Sequence, residues 1–431
     1  LLNKVIYTFG TKIASALINL GIAVIISQFL GASGKGEQGI VITTVTLILI
    51  FSNIIGGASL VYLVPRYQIK ILLVYSYLWS ILICCGFYTV LFFIPLVNEK
   101  YIIHVAAISL ISAFSAVNMN ILLGKEKIKK NNFISFLQTL IIISVLLITY
   151  AINHAITFQT YIHALYLSYS IGWLVGFVFI IPHLKTDSHQ AKAKNTKILS
   201  ELFRLGIVNQ IATVAQILNF RISYYLIEYF DGKAEVGIYS NSVALIESIW
   251  LVSTSITLVQ YARIVNTEDD NYSKRLSIDM TKISLFLALI LVIPFLLIPA
   301  QFYVFLFGIE FSEVRAVLLT LAPGVLLFNV FFVLGHYFSG TGKYYINMIA
   351  SLVGLLVTVF VGLLLIPEYS VLGAGYTASI SYIITTFIVV FIFIKKAHCK
   401  ITDLLFTKKE LVSWYRDVRV YLKTMASGNN E

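Results

Sequence analysis

Charge is scarce in this chain. Only 12% of its 431 residues are Asp, Glu, Lys or Arg, against about 25% in soluble proteins. With 59% hydrophobic residues, a soluble domain would have too few polar side chains to cover its surface. Cysteine is nearly missing: Cys84 and Cys85 adjoin inside an apolar run and Cys399 sits in a basic tail. Adjacent cysteines rarely bridge each other, so neither a disulfide framework nor a metal site is read. Nucleotide chemistry is excluded as well. Ser33-Gly34-Lys35-Gly36 and Gly340-Thr341-Gly342-Lys343 lack the Gly and the hydroxyl that a phosphate-binding loop places around Gly-Lys. There is no nucleophile elbow, so no catalytic residue is read, and no cofactor. The chain is not read as an enzyme. Of seven histidines, only His104, His163 and His336 fall within apolar runs, and these are read as structural.

What is present is a succession of apolar runs of about 20 residues, each long enough to cross a bilayer as a helix. We read about 12 spans, at 5–30, 39–64, 71–97, 101–123, 133–151, 160–182, 202–230, 236–262, 280–299, 316–338, 344–366 and 371–394. The first is too long for a signal-peptide core and ends in a Gly-rich turn rather than a cleavage site. Connections are short except at 184–200 and 263–279. Of 31 Lys and Arg, only Lys35, Lys100, Lys233 and Arg315 fall in connections on one side, and most of the rest cluster on the other. The lysine-rich side is therefore expected to be cytoplasmic, with both termini there. The net charge of +11 then reflects topology and attraction to anionic lipids, and nucleic acid is not expected as a partner.

The two halves echo each other. Phe9-Gly10 corresponds to Arg204-Leu205-Gly206. Phe29-Leu30-Gly31 with Gly39-Ile40 corresponds to Tyr229-Phe230-Asp231 with Gly237-Ile238, and 123–127 to 339–343. The reading is an all-α polytopic membrane protein built as two parallel repeats of six helices, a transporter habit in which substrate is handled between the repeats. Its parts are 1–183, a basic cytoplasmic linker at 184–200, 201–395, and a basic tail at 396–431. The tail, with Leu404, Leu405, Phe406, Trp414 and Tyr415, is expected to lie along the membrane surface as an amphipathic helix.

Polar stripes on helices have no use against lipid, because charge there is costly. Span seven carries Gln210, Thr213, Arg221, Tyr224 and Glu228 on one face. Span eight carries Ser240, Glu247, Thr254 and Tyr261 every seven residues. Span one carries Thr8, Lys12, Ser15 and Asn19. Arg221 and Glu247 lie equally far from the turn between their spans, so they are expected at the same depth. They are read either as a structural pair or as an anion site oriented by Glu247, with Glu247 and Glu228 as the acids for any coupling proton or cation. Lys12 is preferred for phosphate, with Arg66, Arg204 and Lys282 as further inner cations. Pro294 and Pro323-Gly324 mark helix kinks, Gly172 and Gly176 a close helix contact. Tyr224, Tyr225, Tyr229 and Tyr239 are read as an interfacial belt.

Phe-Leu-Gly-Ala-Ser-Gly-Lys-Gly-Glu-Gln-Gly at 29–39, Phe-Arg-Leu-Gly at 203–206, Val-Gly-Ile-Tyr-Ser at 236–240 and Leu-Phe-Gly at 306–308 resemble the Wzx-type flippases. These belong to the multidrug/oligosaccharidyl-lipid/polysaccharide (MOP) exporter superfamily. The resemblance covers about 1–395. It implies a V-shaped pair of six-helix bundles in the bacterial inner membrane. There they would move an undecaprenyl-pyrophosphate-linked oligosaccharide of O-antigen, capsule or exopolysaccharide to the periplasmic leaflet by alternating access. A polysaccharide polymerase and a chain-length regulator are the implied partners. The chain departs from the family at Gln28-Phe29, where relatives often carry Arg, and at Arg221, where many carry an acid. The alternatives are a drug or cation antiporter of the same superfamily and a flippase for a peptidoglycan precursor.

Overall fold

The structure, a computed structural model, describes residues 2–94, 96–186, 195–265, 267 and 269–406. A bilayer core offers backbone N–H and C=O groups no partners but each other, so apolar runs of this length become helices. The first half contains α1 (Leu2–Gly56), α2 (Ala58–Leu63), α3 (Ile69–Phe93), α4 (Ile102–Gly124), α5 (Ile128–Asn153) and α6 (Phe158–Thr186). The second contains α7 (Asn195–Phe230), α8 (Lys233–Glu247), α9 (Trp250–Val265), α10 (Asp270–Leu297), α11 (Ala300–Phe307), α12 (Val314–Gly340) and α13 (Tyr345–Ala397). Among the described residues there is no strand.

Among the described residues, eight helices are long and apolar enough to span a membrane, or nine if α8 and α9 are one bent span. Two of them hide a reversal. α1 holds Gly31 at φ 67°, and α13 holds Ser370 at φ 50°, so each is two arms joined at a residue that leaves the helix. Gly31 tolerates that φ without a Cβ penalty. With α7, which is the most polar of the long helices, each of the expected spans has a helical arm. The expected loop at 263–279 is mostly helix instead. Asp269 caps α10, accepting from the N–H groups of Asn271 and Tyr272 at 2.9 and 3.1 Å, so α10 starts well outside its apolar stretch.

α3 to α6 pack mainly within the first half and α9, α10, α12 and α13 within the second, while α1 and α8 lie on each other more than on any other helix and, with α2, α7 and α11, form the seam between the halves. Their backbones come close enough that side chains are excluded. A Cβ on Gly36 would collide with the carbonyl of Lys233, one on Gly237 with that of Ala32, and one on Gly206 with that of Ile54. Small residues at such crossings let dispersion contacts replace the missing hydrophobic drive between helices in lipid. The GxxxG glycines instead make room for side chains of neighbouring helices, Gly172 for Gln138 and Gly176 for Asn118.

Within α12, Pro323 removes a backbone donor, and Ser379 of α13 inserts next to it. Its Oγ accepts from the Gly324 N–H and donates to the Thr320 carbonyl, standing in for the helical bond between those two residues. Residues 187–194 of the linker and the tail from 407, with Trp414 and Tyr415, lie outside the described residues. Leu404 is buried in a short 3-10 turn, and Phe406 meets the ring of Phe286 at 5.7 Å.

Opposite the basic end, the two halves are tied at several points. The carboxylate of Glu310, in a 3-10 turn after α11, accepts from the Ala32 N–H at 2.5 Å. That N–H opens the second arm of α1, where helix donors have no internal partner. Glu310→Ala should therefore cost about 1–2 kcal/mol. Thermal unfolding of the purified protein in detergent would read this as a lowered midpoint, and an unchanged midpoint would contradict it.

Candidate functional site

The reversal at Gly31 turns residues 32–38 into the first turns of a helix aimed back into the protein. On that helix Lys35, Gln38 and Ile42 share a face by their spacing of three and four. They line a cavity of about 460 Å³ between the halves, walled also by Asn19 from the first arm of α1, Tyr161 and Tyr169 from α6, and Arg221 from α7. Lys35 is only 6% exposed. Its ammonium donates to Gln38 Oε1 at 2.5 Å, a neutral partner and the sole one among the described residues. An ammonium has three donors, and taking it out of water without a counter-charge is costly. This is where an anionic group would be held.

Arg221 differs. Its guanidinium donates to both oxygens of Glu247, at 3.0 and 2.8 Å, a bidentate geometry that is strong and directional. Its field toward the cavity is largely cancelled. α8 ends at Glu247, and α9 leaves at 43° to it. The break redirects the seven-residue stripe: Ser240 faces the cationic cavity, while Thr254 and Tyr261 face a different one.

A second space lies directly behind. It has about 630 Å³ and runs between the first arm of α1, the α8–α9 bend and α10, with Leu17, Leu20, Leu251, Val252, Leu291 and Phe295 along it. Leu17 is 64% exposed, so this groove opens sideways to lipid. Asn19, Ala23 and Ala244 line both spaces, and while Arg221 faces the cationic cavity, Glu247 faces the groove. The ion pair is thus the partition between a polar chamber and an apolar one.

The other expected residues are spread out. Asn19 borders both spaces. Ser15 is half-buried, and Lys12 is exposed, about 10 Å along the helix from Asn19 toward the basic end; neither lines the cationic cavity. Arg66 stacks on the Tyr62 ring at 3.5 Å, and Arg204 is exposed near the start of α7. Lys282 is buried in α10, away from this cavity. Gln210 does not reach it either. Its amide donates to the Asn53 carbonyl at 3.2 Å and ties α7 to α1. The tyrosine belt is corrected in part. Tyr224 and Tyr239 are buried, meet edge to face at 5.5 Å and pack beside Arg221, because their face of the hairpin is turned inward. Tyr225 bonds Thr44 across the halves at 2.9 Å, and only Tyr229 is well exposed, at 82%.

Sequence reasoning passed over Lys35 as a loop lysine, and over Glu37. Glu37 takes Lys233 of the second half at 3.0 Å, and Lys100 at 3.8 Å and the Tyr101 hydroxyl at 3.3 Å from its own half. Gln28 adds bonds to the Phe305 and Leu306 carbonyls, both 3.0 Å. Glu228 is half-buried within electrostatic reach of Lys233 and Glu37. Together these contacts hold the halves closed at the end opposite the basic one.

No protein-family model matches the sequence. Over 190 residues the chain is 30% identical to the capsular polysaccharide biosynthesis protein CapF of Staphylococcus aureus, which is 43% of this chain and 48% of that protein. The match therefore spans about half the length of that relative. In three dimensions the chain is similar to an inward-facing multidrug resistance MATE family transporter of the MOP superfamily. The TM-score is 0.71 at 13% identity, over 89% of this chain and 94% of the other. It is also similar to the Lipid II flippase MurJ in an inward closed conformation, with a TM-score of 0.70 at 14% identity over 100% and 94%. The chain accordingly has the fold seen in transporters of the MOP superfamily, built from helices long and apolar enough to cross a membrane.

Proposed function

We propose that the protein is a flippase for an oligosaccharide carried on undecaprenyl pyrophosphate, moving it from the cytoplasmic leaflet of the bacterial cytoplasmic membrane to the outer one. The observation that carries this reading is the shared wall between a cationic cavity and an apolar groove open to lipid. A substrate with an anionic head and a long hydrocarbon tail needs both environments at once. Lys35 would take the pyrophosphate, with Tyr161 and Asn19 as polar neighbours, while the tail stays in the groove past Leu17 and Leu251. The name of the Staphylococcus aureus relative, a capsular polysaccharide biosynthesis protein, supports a glycan cargo. The lysine-rich side would face the cytoplasm. Transport would then require parting of the Glu37–Lys233 and Gln28–Phe305 contacts at the far end. A coupling proton or cation would find its carboxylate in Glu228.

A drug-cation antiporter would need an available acid in the chamber. No Asp or Glu lines the chamber, and Glu247, the partner of its Arg221, is already held at both oxygens. The test is complementation of a strain lacking its own polysaccharide flippase. Lys35→Ala should cut surface glycan at least tenfold at normal membrane abundance, with drug sensitivity unchanged. Lys35→Arg should keep a substantial part of the activity. Full glycan with Lys35→Ala would overturn the cationic site.

A further inference from the structure

A third cavity lies wholly within the second half and is chemically unlike the first. It has about 460 Å³ and is bordered by Gln216 of α7, Thr254 and Tyr261 of α9, His336 of α12, and Asn347 and Ser351 of α13. No Asp, Glu, Lys or Arg lines it. Its hydrogen-bonding capacity is only partly used inside the protein. Asn347 donates to the Gly335 carbonyl at 2.8 Å and to Ser339 Oγ at 3.0 Å, but its own Oδ1 is buried with no partner. The Gln216 amide has no hydrogen-bond partner among the described residues. His336 Nδ1 donates to the Phe332 carbonyl at 2.7 Å, which leaves Nε2 of the neutral ring as an acceptor. Aromatic edges complete the wall, with Tyr261 meeting His336 at 6.2 Å.

These features narrow the ligand. A hard cation wants carboxylate oxygens, and an anion wants Arg or Lys; the lining has neither. An apolar ligand would leave unsatisfied amides facing it, at the cost of their desolvation. A neutral molecule with many hydroxyl groups satisfies both donors and acceptors and can lay its C–H faces on the aromatic rings. The volume falls within the range of about 300–1,000 Å³ for small-molecule sites. Position adds to this. Gln216 precedes Arg221 by five residues on α7, about 8 Å along the helix. The uncharged cavity is therefore displaced toward the basic end from the cationic one, and it is walled by the same two elements, α7 and the bent α8–α9.

We propose that this cavity is the glycan subsite: it receives sugar units of the lipid-linked substrate, while Lys35 holds the pyrophosphate. The proposal rests on the lipid-linked reading above, which supplies the substrate class. In this arrangement the head, phosphate and tail have three separate chambers. Recognition of the sugar is done by amides and hydroxyls on the second half alone. Selection among glycans then depends on Gln216, Tyr261 and Asn347 and not on the cations.

The test is competition read by native mass spectrometry on the purified full-length protein in detergent. The probes are undecaprenyl pyrophosphate and the undecaprenyl-pyrophosphate-linked glycans extracted from the cells that make the protein, supplied in equal amounts. The wild-type protein should carry the glycan-bearing lipid at least tenfold over the bare one. Gln216→Leu combined with Tyr261→Phe should bring that ratio close to one, without lowering capture of the bare lipid, which also reports that the variant is folded. Gln216→Leu alone should move the ratio partway and serves if the double variant is not stable. A wild-type ratio near one, or a variant that keeps the preference, would overturn the subsite while leaving the lipid-linked reading intact. Capture of neither lipid by the wild type would overturn that reading and this proposal with it.

Discussion

Arg221→Ala should abolish transport and destabilise the protein by about 3 kcal/mol, the lower end of what is lost when a buried ion pair loses one member. The lower end applies because the side chains are 28% and 15% exposed. The reason lies in where the pair sits. With the guanidinium gone, the Glu247 carboxylate would face the apolar groove with no counter-charge, at the bend that joins α8 to α9. Either it takes up a proton or water follows it into the groove. Both outcomes spoil the partition between polar and apolar chambers. Thermal unfolding in detergent reads the first effect and surface glycan the second. The exchange Arg221→Glu with Glu247→Arg separates bracing from contact. Recovery of stability together with transport would make the pair a brace, whereas a stable but inactive exchange would place Arg221 in contact with substrate. A variant lacking Arg221 with wild-type stability and transport would remove the pair from the mechanism altogether.

The second large effect concerns the glycine crossings, which sit at both ends of the seam between the halves. Gly36 lies against Lys233 and Gly237 at the end held by Glu37, while Gly206 lies against Ile54 toward the basic end. Gly36→Leu should force α1 from α8 and prevent closure there. Gly206→Leu should force α7 from α1 at the other end. Each is expected to reduce transport by about 100-fold or more, since overpacking against backbone cannot be relieved by a change of rotamer. The effects should differ in place. Spin labels at positions 33 and 234 should move apart in Gly36→Leu only, and labels at 70 and 200 in Gly206→Leu only. Because the chain has just three cysteines, a background for such labelling needs few changes. If neither pair of labels responds, the crossings are not what sets the spacing of the halves.

Much of this architecture could be read from the residues, because hydropathy over 20-residue windows answers directly to the thickness of a bilayer. The equal depth of Arg221 and Glu247 followed from counting outward from the turn at 231–235, and the two side chains meet there. Lys35 was hidden by a different rule. A Gly-rich stretch between two apolar runs reads as a loop, and a lysine in a loop reads as solvated. Yet positive φ at Gly31 ends one helix and starts the next within a residue or two, so the apparent loop is already helix. The sign was available in the spacing: 35, 38, 39, 42 and 43 lie on one helical face. Gln210 was misplaced for the opposite reason. A stripe drawn along a helix as long as α7 assumes a single neighbour, but the helix passes from contact with Asn53 at one end to the cavity at the other. The stripe on α8 and α9 was likewise divided by a bend that no proline announces.

Glu37 belongs to the first half, with Lys100 and Tyr101, and only Lys233 comes from the second. In the proposed transport cycle, where the halves part at that end, the carboxylate would therefore not travel bare into the opening. Lys100, waiting at 3.8 Å, can tighten as Lys233 withdraws, so one ammonium replaces another around a fixed anion. Separation by this route would avoid the isolated charge that parting a simple two-member bond would create. The energetic burden falls on Lys233 alone, whose flexible stem can carry it to water. Such a handover would make the closure firm when assembled but quick to undo.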